Sequence, residues 1–116
     1  MKKLLAVALT VLVSVFTFST AAFAADIDAG KQVFTANCAA CHAGGNNTVM
    51  PPKTLKEDAL KTYLAGYSDG SKSLEDAIYA QAFNGKGAMP AFGRLGEESI
   101  KNVAAYVADQ AKGGKW

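Results

Sequence analysis

Four stretches of the chain place apolar residues at the three- and four-residue spacing that is typical of amphipathic helices. They run from about residue 26 to 37, 54 to 64, 73 to 84 and 97 to 111. Their apolar faces consist of Ile27, Gly30, Val33, Phe34 and Cys38; Leu60, Tyr63 and Leu64; Leu74, Ala77, Ile78, Gln81 and Ala82; and Ile100, Val103, Tyr106 or Val107, and Ala111. No stretch of useful length alternates apolar and polar residues as a strand would. The pattern therefore predicts an all-α fold of four or five short helices.

Polar residues at the start of these stretches predict where the helices begin. Asp26 or Asp28 can cap the first helix with a side-chain oxygen. Thr54 and Glu57 have the spacing of a capping box for the second. Ser73 is a suitable cap for the third.

The first 24 residues follow a different pattern, that of a secretory signal peptide. A basic start at Lys2 and Lys3 leads into a long apolar stretch, and residues 22–24 form an A-x-A cleavage site. The apolar stretch is also long enough to span a bilayer if it were not removed. Because the cleavage site favours removal, we predict a signal peptide over residues 1–24 and a mature domain over residues 25–116.

The charge balance changes once the predicted signal peptide is removed. The whole sequence has 12 basic and 10 acidic residues and a formal net charge of +2. Lys2 and Lys3 leave with the signal peptide, so the mature chain is formally neutral. A neutral chain lacks the basic face that nucleic-acid binding needs and the field that steers charged partners over long distances. It has no second apolar run of membrane-spanning length, so we expect a soluble, exported, mainly monomeric protein with no stable membrane insertion after cleavage.

The candidate chemistry is concentrated in one short stretch. The chain has two cysteines and one histidine, and all three lie in Cys38-Ala39-Ala40-Cys41-His42. This is the C-x-x-C-H pattern of covalent c-type haem attachment. On a helix the two cysteines face the same side, so each can form a thioether with one haem vinyl group. The imidazole of His42 can then bind the iron as an axial ligand, and the motif predicts one covalent haem c.

Three other kinds of site use some of the same residues. A thioredoxin-like redox motif expects a strand before the cysteines and a helix after them, whereas here a helical pattern precedes them and a glycine-rich segment follows. A structural zinc site needs four ligands, and the motif offers three. A disulfide between Cys38 and Cys41 would leave His42 without a role. Haem attachment accounts for all three residues.

The second axial ligand decides between an electron carrier and an open haem site. The sequence has no second histidine, and methionine sulfur is the other common choice, one that raises the haem potential. The mature chain has Met50 and Met89, each followed by a proline. We favour Met89, because Gly85 and Gly87 let its loop approach a porphyrin closely. Met50 lies in a stiff Pro-Pro segment near the motif, so we expect it to contact the haem edge.

Two longer runs of sequence extend beyond the haem motif. The first is the haem motif followed by Gly44-Gly45-Asn46, Val49-Met50-Pro51 and Lys53-Thr54-Leu55. The second is Gln81-x-x-Asn84-Gly85-Lys86-Gly87-Ala88-Met89-Pro90-Ala91-Phe92, which continues through Arg94-Leu95 and the last helix to Trp116. All c-type cytochromes share the haem motif, whereas the second run is far more specific. Both runs resemble the cytochrome c6 family, and the resemblance covers essentially the whole mature chain.

The resemblance implies a class I cytochrome c fold with packed N- and C-terminal helices around one haem. Such packing would explain Gly30, Phe34 and Tyr106 in the helices concerned. The resemblance also implies that Gln81 lies near the haem and tunes its potential, and that Arg94 helps docking.

The implied function is electron transport rather than catalysis. Members of the family carry one electron at a time in oxygenic photosynthesis, from the cytochrome b6f complex to photosystem I, in the thylakoid lumen or the periplasm. A periplasmic carrier that donates electrons to a respiratory terminal oxidase is the alternative within electron transport. A haem enzyme or gas sensor is the alternative from another class, and it would require that Met89 leave the iron open.

Overall fold

A computed structural model describes residues 25–116, so the predicted signal peptide and its cleavage site lie outside the described residues. The described chain has five α-helices, numbered α1 to α5: Ile27–Asn37, Ala39–His42, Glu57–Tyr63, Leu74–Asn84 and Glu97–Lys112. Two short 3-10 helices, Ala43–Gly45 and Gly93–Leu95, follow α2 and precede α5. Over residues 25–116 the only β-type pairing is one isolated bridge, between Lys86 and Met89, which confirms the predicted all-α fold. None of the helices described is long and apolar enough to cross a membrane.

The first and last helices cross at Gly30, where the backbones of α1 and α5 meet. A Cβ atom at this position would overlap the backbone carbonyl of Asn102 and lie 2.9 Å from the Cβ of Tyr106. Beside the crossing, the ring centroids of Phe34 and Tyr106 are 5.4 Å apart. The side-chain oxygen of the buried Asn102 accepts a 2.9 Å hydrogen bond from the backbone N–H of Asp26. A side chain at Gly30 would hold the helices apart, which is the packing reason for a poor helix former at this position.

Two of the predicted helix caps are confirmed and one is wrong. Asp26 caps α1 by accepting a 3.1 Å bond from the N–H three positions on, and Ser73 caps α4 in the same way at 3.2 Å. Lys56, not Thr54, occupies the cap position of α3, and its side chain makes no capping bond. The hydroxyl of Thr54 instead accepts a 3.3 Å bond from the N–H of Lys56. This local turn competes with the capping box and delays the start of the helix.

The core consists of two clusters that both use α5. One contains Leu60, Leu64, Leu74, Ala77, Ala108 and Ala111, and the other contains Phe34, Val103, Tyr106 and Val107 with Trp116 packed against them. Ile27 and Tyr63, which we predicted to face the core, are 41% and 46% exposed. Each is the terminal residue of its helix, so no further helical turn holds it against the core. The long helix α5 therefore joins α1 on one side to α3 and α4 on the other.

Candidate functional site

The C-x-x-C-H stretch lies at the break between α1 and α2. Cys38 leaves α1 with φ −107° and ψ −29°. Its carbonyl accepts bonds from the N–H groups of Cys41, at 3.2 Å, and His42, at 2.9 Å. Cys38 is half-buried and Cys41 is exposed, and both are free thiols. The three side chains therefore belong to a single turn, as the motif predicted.

The surroundings of the thiols bear on the alternative uses of the motif. Burial raises the pKa of Cys38 to about 11. Redox-active C-x-x-C motifs lower the pKa of the attacking cysteine, so the thioredoxin-like alternative needs the opposite shift. Within the part of the chain that the structure describes, no three His, Cys, Asp or Glu side chains are grouped to hold a metal ion. A neutral thioether suits the partly buried position of Cys38.

The imidazole of His42 has a fixed orientation. Its Nδ1 lies 2.9 Å from the backbone oxygen of Asn46. A carbonyl can only accept, so this contact places the proton on Nδ1 and leaves the lone pair on Nε2. Histidines that bind metals are held in the same way, by a hydrogen bond from the ring nitrogen that is not a ligand. The N–H of Asn46 in turn donates to the carbonyl of Ala43 at 3.2 Å, which fixes the acceptor.

Met89 lies in a tight loop that follows α4 and bonds back to it. Lys86 and Met89 exchange two backbone hydrogen bonds, of 2.9 and 3.0 Å. Gly85 has φ +72°, and a Cβ there would lie within 2.8 Å of three backbone atoms of the same loop. The N–H of Phe92 donates to the carbonyl of Ala82 at 2.9 Å and returns the chain to the helix. Only glycine at position 85 allows the loop to close around Met89.

Gln81 contacts the predicted methionine ligand directly. It lies in the last turn of α4, and its Nε2 is 3.7 Å from the sulfur of Met89. An amide N–H that donates to a thioether sulfur makes a weak hydrogen bond and engages one of the two sulfur lone pairs. The sequence placed Gln81 near the haem only through the family resemblance, and the structure brings it into contact with Met89.

Two other predicted residues lie at the surface. Met50 is 48% exposed, in a turn that a 2.9 Å bond from the N–H of Lys53 closes. Arg94 is exposed, donates to the carbonyl of Ala91 at 3.2 Å and holds its guanidinium 5.3 Å from the ring centre of Phe92. The haem-edge contact of Met50 and the docking role of Arg94 stay predictions.

Sequence reasoning missed two groups that act on the motif. One is the carbonyl of Asn46, a backbone acceptor that no residue type reveals. The other is the indole of Trp116, which lies directly against Gly45, the residue before Asn46. The signals for it were an aromatic residue after the last helix and the family resemblance, which extends to Trp116.

Taken together, the side chains of the site fit a covalently bound haem. Two cysteines on one turn are available for thioethers, and the orientation of His42 leaves a nitrogen lone pair free. Met89 offers a sulfur whose position is fixed by its loop. A histidine nitrogen and a methionine sulfur are the axial ligands of c-type cytochromes that act at high potential.

Comparison with known proteins gives consistent matches. Residues 25–107 match the family model described as "Cytochrome C oxidase, cbb3-type, subunit III". A cytochrome c6 from Picosynechococcus sp. is 74% identical over 117 residues and covers 100% of both chains. A cytochrome c6 from Pyropia yezoensis is 53% identical over 98% of this chain and 99% of its own. The structure of cytochrome c6 from the diatom Phaeodactylum tricornutum is 55% identical, covers 78% of this chain and 99% of that chain, and superposes with a TM-score of 0.70.

These matches confirm the resemblance that the two sequence runs indicated. They also confirm the class I cytochrome fold, the single covalent haem c, and the role as an electron carrier rather than an enzyme. With 74% identity over its whole length, the chain belongs to the cytochrome c6 family of haem-containing electron carriers.

Proposed function

We propose that Cys38 and Cys41 attach the haem through thioethers and that His42 and Met89 bind its iron. The observation that carries this assignment is the 2.9 Å contact between Nδ1 of His42 and the carbonyl of Asn46. It leaves Nε2 as the available ligand atom. The bound haem supplies a one-electron iron couple, and the chain fixes its ligands and its surroundings.

Gln81 tunes the donor strength of Met89. Its amide N–H, 3.7 Å from the sulfur, draws electron density away from that atom. Weaker donation by the sulfur destabilises ferric iron more than ferrous iron. This contact therefore raises the midpoint potential of the haem. Gln81 therefore acts on the potential through the ligand.

With both axial positions filled by the chain, electrons pass through the surface around the site. Ala88 and Pro90 are exposed on either side of Met89, and Phe92 is half-buried beside them. These uncharged groups form a patch for transient docking, of the kind that brief redox encounters use. The exposed Arg94 adds one positive charge at its border.

We also propose that the protein carries electrons from the cytochrome b6f complex to photosystem I. It would do so in the thylakoid lumen, after cleavage of a signal peptide before Ala25, or in the periplasm. The identity to cytochromes c6 over whole chains supports this route. The match to a family model named after an oxidase subunit favours a respiratory terminal oxidase as the second candidate acceptor.

The ligand assignment is tested with the two methionines of the mature chain. In Met89→Leu holoprotein we expect the weak red absorption band of methionine-ligated ferric haem to disappear and the ferrous protein to bind carbon monoxide. Met50→Leu is the matched control and keeps the band. Loss of the band in Met50→Leu instead would contradict the assignment.

The acceptor is tested by comparing two electron-transfer rates of the same holoprotein. After a laser flash, the reduced protein is expected to re-reduce photosystem I faster than it donates to a terminal oxidase at equal concentration. Arg94→Glu should slow the photosystem reaction at low ionic strength and less at high salt, because a surface charge is screened. Rapid donation to the oxidase with no reduction of photosystem I would contradict the proposed route.

A further inference from the structure

Trp116 reaches across the fold to a segment far away in the sequence. Its indole N–H donates a 2.8 Å hydrogen bond to the carbonyl of Leu55, 61 positions earlier. Its ring centroid is 5.4 Å from that of Phe34 and 6.1 Å, edge-on, from that of Tyr106. The last residue of the sequence is therefore fixed between the α1–α5 crossing and the segment that follows the haem motif.

The indole also contacts the backbone at Gly45. This glycine is buried and has φ +78°, and a Cβ there would overlap the ring of Trp116. The carbonyl of Gly45 accepts a 2.8 Å bond from the N–H of Leu55. The indole covers one side of Gly45 and bonds to Leu55, so a single side chain fixes both partners of this backbone bond.

Gly45 adjoins the group that orients the histidine. The next residue, Asn46, supplies the carbonyl that accepts the Nδ1–H bond of His42 at 2.9 Å. A rotation of the peptide at Gly45 would move that carbonyl, and with it the histidine hydrogen bond. The contacts thus run from Trp116 through Gly45 and Asn46 to the imidazole.

We propose that Trp116 is a positioning residue for His42. It holds the carbonyl of Asn46 in place and thereby sets the strength of the bond between His42 and iron, a step that rests on the proposed ligand role of His42. A strong bond from Nδ1–H makes the imidazole a better donor, and a better donor favours ferric iron. Loosening the carbonyl should therefore raise the midpoint potential.

The test compares Trp116→Leu and Trp116→Phe with the unmodified holoprotein. Asn102→Ala is the matched control, because the side chain of Asn102 makes its long-range bond to Asp26, at the opposite end of α1 from the haem motif. The readouts are the midpoint potential, the solvent-exchange rate of the His42 Nδ1 proton in the ferrous protein by NMR, and thermal unfolding. Trp116→Phe keeps a ring over Gly45 and removes the indole donor.

For Trp116→Leu we expect the Nδ1 proton to exchange at least about tenfold faster. We also expect the ferric–ferrous equilibrium to shift about threefold toward the ferrous state, which is a rise of ~30 mV for one electron. In Trp116→Phe the proton exchange rate and the midpoint potential should shift less, in the same direction. Asn102→Ala should lower the unfolding temperature and leave both the exchange rate and the potential unchanged. A lower unfolding temperature in Trp116→Leu with unchanged proton exchange and potential would overturn the proposal, since the indole would then serve stability alone.

The experiment separates this inference from the ligand assignment. Protons of an iron-bound imidazole show large upfield shifts from the haem ring current in the ferrous unmodified protein. If these shifts are present and the Trp116 variants behave like the control, the inference is wrong and the ligand assignment stands. If the shifts are absent from His42, both are wrong. Should Trp116→Leu fail to fold, Trp116→Phe decides: because it loses the donor to Leu55, it should show a smaller shift of both readouts in the same direction, and values equal to those of the unmodified protein would overturn the proposal.

Discussion

The two proposed ligands lie in regions that are held in different ways. The segment after His42 is tied to distant parts of the chain, because Gly45 packs against Trp116 and bonds to Leu55. In the part of the chain that the structure describes, the hydrogen bonds of the Met89 loop are local: they join Lys86 to Met89, Phe92 to Ala82, and the amide of Gln81 to the methionine sulfur eight positions away.

This difference predicts how the His42 segment and the Met89 loop respond to substitutions. The Met89 loop is a local unit at the end of α4, and such units open without unfolding the whole domain. The His42 segment cannot move unless it breaks contacts with the aromatic cluster around the α1–α5 crossing. The methionine side should therefore be the variable half of the site, and the histidine side should share the stability of the whole fold.

Removal of the methionine sulfur should have the largest effect and should remain local. In Met89→Leu we expect the midpoint potential to fall by on the order of 0.2 V, a part of the range of about 0.8 V that axial ligands set. The free energy of unfolding should change by no more than about 1 kcal/mol, because the hydrogen bonds of the loop are local to the end of α4. Redox titration and circular dichroism melts measure the two quantities. A large loss of helical stability would show that the methionine side is not a local unit.

Preventing closure of the Met89 loop should have the second-largest effect. In Gly85→Ala the alanine must adopt φ +72° and ψ 172°, and its Cβ meets three backbone atoms of the loop. We expect this to cost about 3 kcal/mol. We expect methionine ligation, followed through the red ferric absorption band, to be lost while the helices melt nearly as before.

Gly87→Ala is the matched control for loop closure. Gly87 also has positive φ, +57°, but a Cβ there meets nothing within 4 Å. Its variant should keep methionine ligation. Equal loss of ligation in both glycine variants would mean that flexibility of the loop, not the contact at Gly85, controls the ligand.

Much of this difference could be predicted from local sequence. The spacing of Cys38, Cys41 and His42 predicted a single turn with three functional side chains, because helical geometry alone sets it. The glycines around Met89 predicted a loop that could approach a porphyrin closely, since the conformational freedom of glycine is a local property. The Asp26 and Ser73 caps were predicted for the same reason.

The contacts between distant residues could not be predicted in this way. The position of Trp116 against Gly45 depends on how α5 crosses α1, and no spacing along the chain specifies it. Thr54 failed as a cap although its motif matched, because its hydroxyl accepts a bond from the nearer N–H of Lys56. The sequence therefore predicted the functional groups on the histidine side, but not the long-range contacts that hold them in place.

Adding a side chain at Gly45 should show how much the contact with Trp116 contributes to stability. In Gly45→Ala the new Cβ meets the ring of Trp116 at φ +78°, and we expect a loss of about 2 kcal/mol in the free energy of unfolding. Gly44→Ala is the control, because Gly44 has φ +64° and a Cβ there meets only Asn46 Nδ2 at an ordinary 3.6 Å. Denaturant unfolding of the two variants measures the difference. If Gly45→Ala is no less stable than Gly44→Ala, the contact between Gly45 and Trp116 contributes little to stability. The histidine and methionine sides would then not differ in how they are held.

The smallest effect on the methionine side should come from the amide that touches the methionine sulfur. Gln81→Val removes the N–H donor 3.7 Å from the sulfur, so the sulfur becomes a better donor to ferric iron and the potential falls. A hydrogen bond of about 1 kcal/mol corresponds to ~40 mV for a one-electron couple. Gln110→Val, a half-buried glutamine in α5, serves as the control and should leave the potential unchanged. Because Gln81 acts only through Met89, its effect should vanish in a Met89→Leu background, and a shift that persists there would place the action of Gln81 on the haem rather than on the methionine side.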